Sequence, residues 1–246
     1  MSTQPQRTPV ANVGFATTQW SVILHAADDV SGASPGALEA LCSIYWPPLY
    51  AYARRDGLSP QDAQDAVQDF LHRLLHGNGL ASVSPDKGRF RTFLLVALKN
   101  FLISRARKEQ AIKRGGAADR LCLDTNNAEA LCESELADQM SPDKAFDRRW
   151  AHTIMTLALD RLRDEHKSIQ QARVFAALQP VLSEGGRVEN QAALATELGV
   201  TPGALATAAT RLRQRYREFI EAEVRRTVDK PADVQEELRA LRTAWT

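Results

Sequence analysis

Apolar residues recur at three- and four-residue spacing along most of the chain, and strict alternation of apolar and polar positions is scarce. That period belongs to helices with one buried face. In "SPQDAQDAVQDFLHRLLH", Val67, Phe70, Leu71, Leu74 and Leu75 share a face. Across Gly88–Arg114 the shared face holds Phe90, Leu94, Ala97, Leu98, Phe101, Leu102 and the stem of Arg105. The pattern predicts helices over 35–56, 60–76, 89–113, 143–167, 169–183, 191–198, 202–226 and 232–244, with a shorter one in Thr17–Asp29. No pattern marks residues 1–15.

The starts of these helices share a signature. Ser34-Pro35, Ser59-Pro60, Ser141-Pro142 and Thr201-Pro202 each pair a hydroxyl that can cap orphan amides with a proline at the first helical position. Asp62 then stands at the third helical position, close to a capping box. Between the helices, loops are expected at Gly77–Gly88 and Ser183–Asn190. The acidic stretch over about 115–141, poor in large apolar residues, reads as a linker that splits an all-α chain into two halves.

Composition agrees with this picture: leucine and alanine dominate and aromatics make up 7% of the 246 residues. Three cysteines (Cys42, Cys122, Cys132) have no close pairing, no apolar run approaches the ~18 residues of a membrane span, and the N-terminus lacks a secretory apolar core. A reducing cytoplasm with free thiols and no membrane attachment is the expectation. Net charge is +1, but residues 87–114 hold nine Lys/Arg against one acid, Glu109, a local +8 that leaves the rest of the chain at −7. Such a segment is a footprint for phosphate contact, although a solvated helix face produces the same count.

"AALATELGVTPGALATAATRLRQRY" reads as two helices around a tight turn. Ala193, Leu194 and Leu198 form the expected core stripe of the first; Gly199 supplies a positive φ, and Val200 plugs the corner. Leu205, Ala208 or Ala209, Leu212 and Tyr216 give the buried face of the second, with Thr207, Thr210, Arg211 and Gln214 largely on the other side. A helix with small early side chains and later arginines suits the major groove; a plain helical hairpin with a basic end fits the same letters. In the first half, Val96, Lys99, Asn100, Ile103 and Arg107 lie opposite the apolar face, mixing apolar groups with groups that meet bases or phosphates. Asp62, Asp65 and Asp69 form an acidic stripe unsuited to DNA and suited to a basic protein partner, or simply to water.

Three blocks in order, "ALEALCSIYWPPLYAYARRDGLSPQDAQDAVQDFLHRLL", "GRFRTFLLVALKNFLISRARKEQAIKRGG" and the helix–turn–helix, carry a resemblance over residues 17–226. They look like a bacterial RNA polymerase sigma factor of the small extracytoplasmic-function group, in a subtype without an appended sensor domain. The resemblance implies two helical domains joined by a flexible linker: residues 17–114 like sigma domain 2, residues 142–230 like sigma domain 4, and a C-terminal extension at 231–246 that binds a regulator or caps the fold. It implies that Asp65, Gln68 and Asp69 bind the coiled coil of the polymerase β′ subunit, and that Lys99, Asn100, Arg105 and Arg107 recognise and melt the −10 promoter element. The Gly77–Gly88 loop would capture a flipped base. Thr207, Thr210, Arg211, Arg213 and Arg215 would read the −35 element. Core polymerase, promoter DNA and an anti-sigma or other regulatory protein are the implied partners. Ala206 and Ala208 stand where many relatives carry basic residues, and Ser104 where aspartate is frequent.

No Ser-His-Asp set, phosphate loop or paired catalytic carboxylate stands out, so neither an enzyme nor a cofactor is expected. His72 and His76 have an i, i+4 spacing but lack a following glutamate and a third ligand, so no metal is expected. Two other readings fit the letters: a free-standing helix–turn–helix regulator of duplex operators, and an interaction protein that kept the fold but not the DNA contact.

Overall fold

In the computed structural model the described residues are 35–76, 89–112, 140–182, 190–228 and 230–245. The helix expected in Thr17–Asp29, the cap at Ser34, the Gly77–Gly88 loop and all but the end of the 115–141 spacer lie outside them. Among the described residues every regular element is helical and none is a strand. They are α1 (Pro35–Arg55), α2 (Pro60–His76), α3 (Phe90–Ile112), α4 (Pro142–Glu165), α5 (Ile169–Leu178), a 3₁₀ turn (Gln179–Leu182), α6 (Gln191–Glu197), α7 (Pro202–Thr227) and α8 (Asp233–Trp245). Helix ends fall within two residues of the expected ones, except that the helix expected over 169–183 tightens into the 3₁₀ turn. Pro180 accounts for this, because its missing N–H cannot continue the α-helical ladder.

Local chemistry sets the boundaries. Ser141 Oγ accepts from Lys144 N–H at 3.4 Å and Thr201 Oγ1 from Ala204 N–H at 3.2 Å. Ser59 Oγ accepts from Asp62 N–H at 3.1 Å and donates to the Asp62 carboxylate at 2.7 Å, so that acid is partly consumed by its own cap. Gly57 (φ +102°) and Gly199 (φ +68°) end α1 and α6 in the same way. Leu58 N–H reaches Ala53 O and Gly57 N–H reaches Arg54 O after α1; Val200 N–H reaches Ala195 O and Gly199 N–H reaches Thr196 O after α6. This is the double bond of a Schellman motif, which needs the left-handed residue that glycine supplies.

The helices pack into two apolar clusters. One joins α1, α2 and α3 through Leu49, Phe70, Phe90 and Leu94 to Phe146, Trp150 and Ile154 of α4, Val224 at the end of α7, and Val234 and Leu241 of α8. The other joins Ala158 and Leu162 of α4 to Phe175 of α5, Ala195 and Leu198 of α6, and Leu205, Ala209 and Leu212 of α7. Helix α4 is therefore core to both. Glu223 is almost wholly buried near the cluster boundary, its charge balanced by Arg161 at 2.6 Å and Arg226 at 3.0 Å.

One expectation is corrected. The core stripe of α6 is Leu194, Ala195 and Leu198, whereas Ala193 is exposed. Asn190 starts α6 in the left-handed region (φ 54°) and caps Ala193 N–H, which turns that residue toward solvent at the first turn. In α7, Leu205, Ala209 and Leu212 are buried and Ala208 and Tyr216 half-buried, in agreement with the expected face.

Candidate nucleic-acid interface

Helices α2 and α3 present the expected residues on adjoining faces. On α2, Asp65 is half-buried and Asp69 exposed. Gln68 lies between them, its amide nitrogen buried with no hydrogen-bond partner among the described residues. On α3, Val96 and Ile103 are 52% and 50% exposed, with Asn100 and Arg107 exposed between and beyond them. Single apolar groups this exposed are ordinary on a protein surface; set among amide and cationic groups, these two are compatible with contact to bases as well as with water. Ser104 donates to Asn100 O at 2.8 Å, so its hydroxyl stays on its own helix.

The cations of α3 are not equally available. Arg105 Nη1 stands 3.9 Å from the Asp69 carboxylate, linking the two candidate surfaces. Lys99 pairs with Asp143 of α4 at 2.5 Å and lies 5.7 Å from the centre of the Tyr52 ring. Burial, then the carboxylates of Asp56 and Asp143, push the Tyr52 hydroxyl up to about 12. Arg107 has no ion pair among the described residues.

Periodicity gave no sign of a further cluster at the start of α3. Arg89 pairs with Glu236 and, at 3.2 Å, with Glu237. Arg91 pairs with Asp147 and, at 3.1 Å, with Glu237, and its guanidinium lies 4.5 Å from the Trp150 ring centre. Burial raises the Glu237 carboxyl above the usual range, opposed by the nearby charges of Arg91 and Arg89. Thus residues of α8, about 145 positions along the chain, neutralise the front of the basic segment.

The second surface is the helix–turn–helix. Thr207 donates to Gly203 O at 2.9 Å and Thr210 to Ala206 O at 3.0 Å, so both hydroxyls turn back on α7 and leave their methyl groups outward. Arg211 is exposed and has no ion pair among the described residues. Arg213, half-buried, donates from Nε to Val181 O at 3.1 Å and ties α7 to the 3₁₀ turn. Arg215 chelates Glu165, pairs with Glu218 at 2.9 Å and sits 4.4 Å from the Phe219 ring centre. The Arg215 hydrogen bond holds the Glu165 carboxyl below the usual carboxylate range. A groove of about 570 Å³ runs between α5 and the early turns of α7, lined by Phe175, Leu178, Ala204, Thr207, Ala208 and Arg211 among others. The structure thus brings Thr207 and Arg211 together on an open face and gives Arg213 and Arg215 intramolecular partners.

Residues 42–112 match the family model described as Sigma-70 region 2. The matched span runs from the first third of α1 to the end of α3 and holds Asp65, Gln68, Asp69, Lys99, Asn100, Arg105 and Arg107. The similarity to Sigma-70 region 2 therefore covers the α1–α3 part of the first cluster. The chain has no match among curated proteins or solved structures. No described helix is long and apolar enough to cross a membrane.

Proposed function

We propose that the protein is a promoter-specificity subunit of bacterial RNA polymerase, of the extracytoplasmic-function type, in which residues 17–114 and 142–230 act as two modules. The observation that carries this reading is the adjacency, inside the matched region, of an acid–amide–acid face on α2 and an exposed apolar-cationic face on α3. The first face suits a basic protein surface; the second suits unstacked bases and phosphates. Asp65, Gln68 and Asp69 dock on the coiled coil of the polymerase β′ subunit. Asn100 and Arg107, flanked by Val96 and Ile103, meet the −10 element; Lys99 and Arg105 join them on exchanging Asp143 and Asp69 for phosphate. Thr207 and Arg211 approach the −35 element, with Arg215 at the margin and Arg213 holding α7 in position.

The division of labour follows from physics. Two weak DNA surfaces, brought to one duplex on a shared carrier, gain avidity through effective concentration without strong binding by either alone. Strand opening and RNA synthesis belong to the assembled polymerase, so the chain itself need not be an enzyme, and it works in the cytoplasm where polymerase is found. The test is co-purification with core polymerase. Asp65→Arg combined with Asp69→Arg should abolish association while leaving the helical circular dichroism unchanged; undiminished association rejects the role given to α2.

A further inference from the structure

We propose that α8 is an autoinhibitory clasp whose Glu236 and Glu237 occupy, in the free chain, the arginines with which the start of α3 grips the DNA backbone. The inference rests on the reading of α3 as a DNA-contacting helix and adds to it a reason why the chain would not hold DNA alone.

The chemistry is that of a phosphate mimic. Arginine guanidinium groups bind carboxylate and phosphate oxygens through the same charge-assisted hydrogen bonds. Arg89 and Arg91 open the basic helix, and both are taken by carboxylates from α8, with Asp147 of α4 as a second partner for Arg91. While these pairs stand, neither arginine can release counterions from DNA.

The contact is also built to let go. Helix α8 has 13 residues and is seated by a short set of apolar anchors, Val234 and Leu241 buried, Leu238 and Ala244 partly so, and Trp245 stacked at 6.3 Å on His152 of α4. Its polar contact is incompletely satisfied: Arg91 Nε is buried with no hydrogen-bond partner among the described residues, and Glu237 Oε2 meets Arg91 Nη2 at 3.1 Å as an ion pair outside good hydrogen-bond geometry. A half-satisfied buried polar network holds less tightly than an apolar contact of the same size. Phosphates, or the polymerase presenting them, can therefore displace the carboxylates.

The experiment measures binding of the full chain, without polymerase, to fluorescent duplex DNA of mixed sequence over a range of salt concentrations. Glu236→Gln with Glu237→Gln should tighten binding several-fold near physiological salt and steepen the log–log salt slope by about 0.9, the one contact of the freed Arg89, and by up to about 1.8 where phosphate also takes Arg91 from Asp147. Glu236→Gln alone, at a side chain 61% exposed, leaves the core intact and should steepen the slope by less than the double variant does, because Glu237 still holds Arg89 at 3.2 Å. Adding Arg89→Gln and Arg91→Gln to the double variant should erase the gain. Equal affinity and slope for wild type and both glutamate variants, or a gain that survives loss of the arginines, overturns the clasp. Promoter-directed transcription by wild-type chain with core polymerase is run in parallel. Its failure counts against the proposed function, whereas free-chain binding alone decides the clasp.

Discussion

The two apolar clusters partner their arginines differently. In the first, four cations at or in the basic helix, Arg89, Arg91, Lys99 and Arg105, meet carboxylates from elsewhere: Glu236 and Glu237 of α8, Asp147 and Asp143 of α4, and Asp69 of α2. In the second, built on alanine and leucine, Arg211 stands at an open groove without an ion pair among the described residues, while Arg213 and Arg215 brace the fold. A count of positive charge would rank the first surface far ahead. The pairing pattern narrows that lead for the free chain, leaving Arg107 on the first surface and Arg211 on the second without an ion pair among the described residues, because a cation already holding a carboxylate must exchange it before it binds phosphate.

The sharpest way to break this contrast is to remove the residue that supports the paired arginines. Trp150→Ala takes a fully buried ring from beneath Arg91 and from among α1, α3 and α8; it should cost about 3–5 kcal/mol, read from denaturant midpoints. The counterpart in the second cluster is Leu205→Ala, expected to cost about 2–5 kcal/mol. Hydrogen exchange should then speed up in α5–α7 while α1–α3 stay protected; equal acceleration everywhere would mean that the two clusters unfold as one. Gly199→Ala places a side chain on a left-handed residue and should cost about 1–2 kcal/mol, confined to the helix–turn–helix.

Acid titration separates the regions by sign. Glu165 has its carboxyl lowered by Arg215, so that pair stabilises above the ordinary glutamate value and is lost as pH falls through the lowered one. Glu237 is raised by burial, so its ionisation weakens the fold as pH rises from the ordinary value through the raised one, and acidification relieves it. Thermal midpoints of Glu165→Gln should lose the decline below pH ~4.5, and those of Glu237→Gln the gain on approaching that pH from neutrality. The smallest effect on stability belongs to Arg211→Gln. It should leave the denaturation midpoint unchanged and flatten the salt dependence of promoter binding by about 0.9 per contact.

Most of the local architecture was legible from short-range chemistry. Serine or threonine before proline located three of the described helix starts, the 3.6-residue period found the buried faces of α2, α3 and α7, and Gly199 announced its positive φ. The exposed pair Val96 and Ile103 was also readable, since both fall opposite the apolar stripe. What stayed hidden was long-range. Nothing near Arg89 or Arg91 indicates that Glu236 and Glu237 will sit against them, and nothing near Arg213 points to Val181 O. Periodicity tells which side of a helix a cation leaves from, not what waits there. The exposure of Ala193 escaped for a smaller reason, because a left-handed asparagine set the phase of α6.

Because α4 belongs to both clusters, it also decides where the chain tolerates recombination. A chimera joined at residue 141, in the stretch between α3 and α4, would import foreign side chains in place of Phe146, Trp150 and Ile154 and leave the first cluster without its own lid. A crossover within the single turn between Ile154 and Ala158 keeps Phe146, Trp150 and Ile154 with the first core and the second core intact, and exchanges only Val224, Val228, Val234 and Leu241 among the buried residues of the first. Exchange of halves between relatives should therefore yield folded hybrids from breakpoints inside that helix more often than from breakpoints in the apparent spacer.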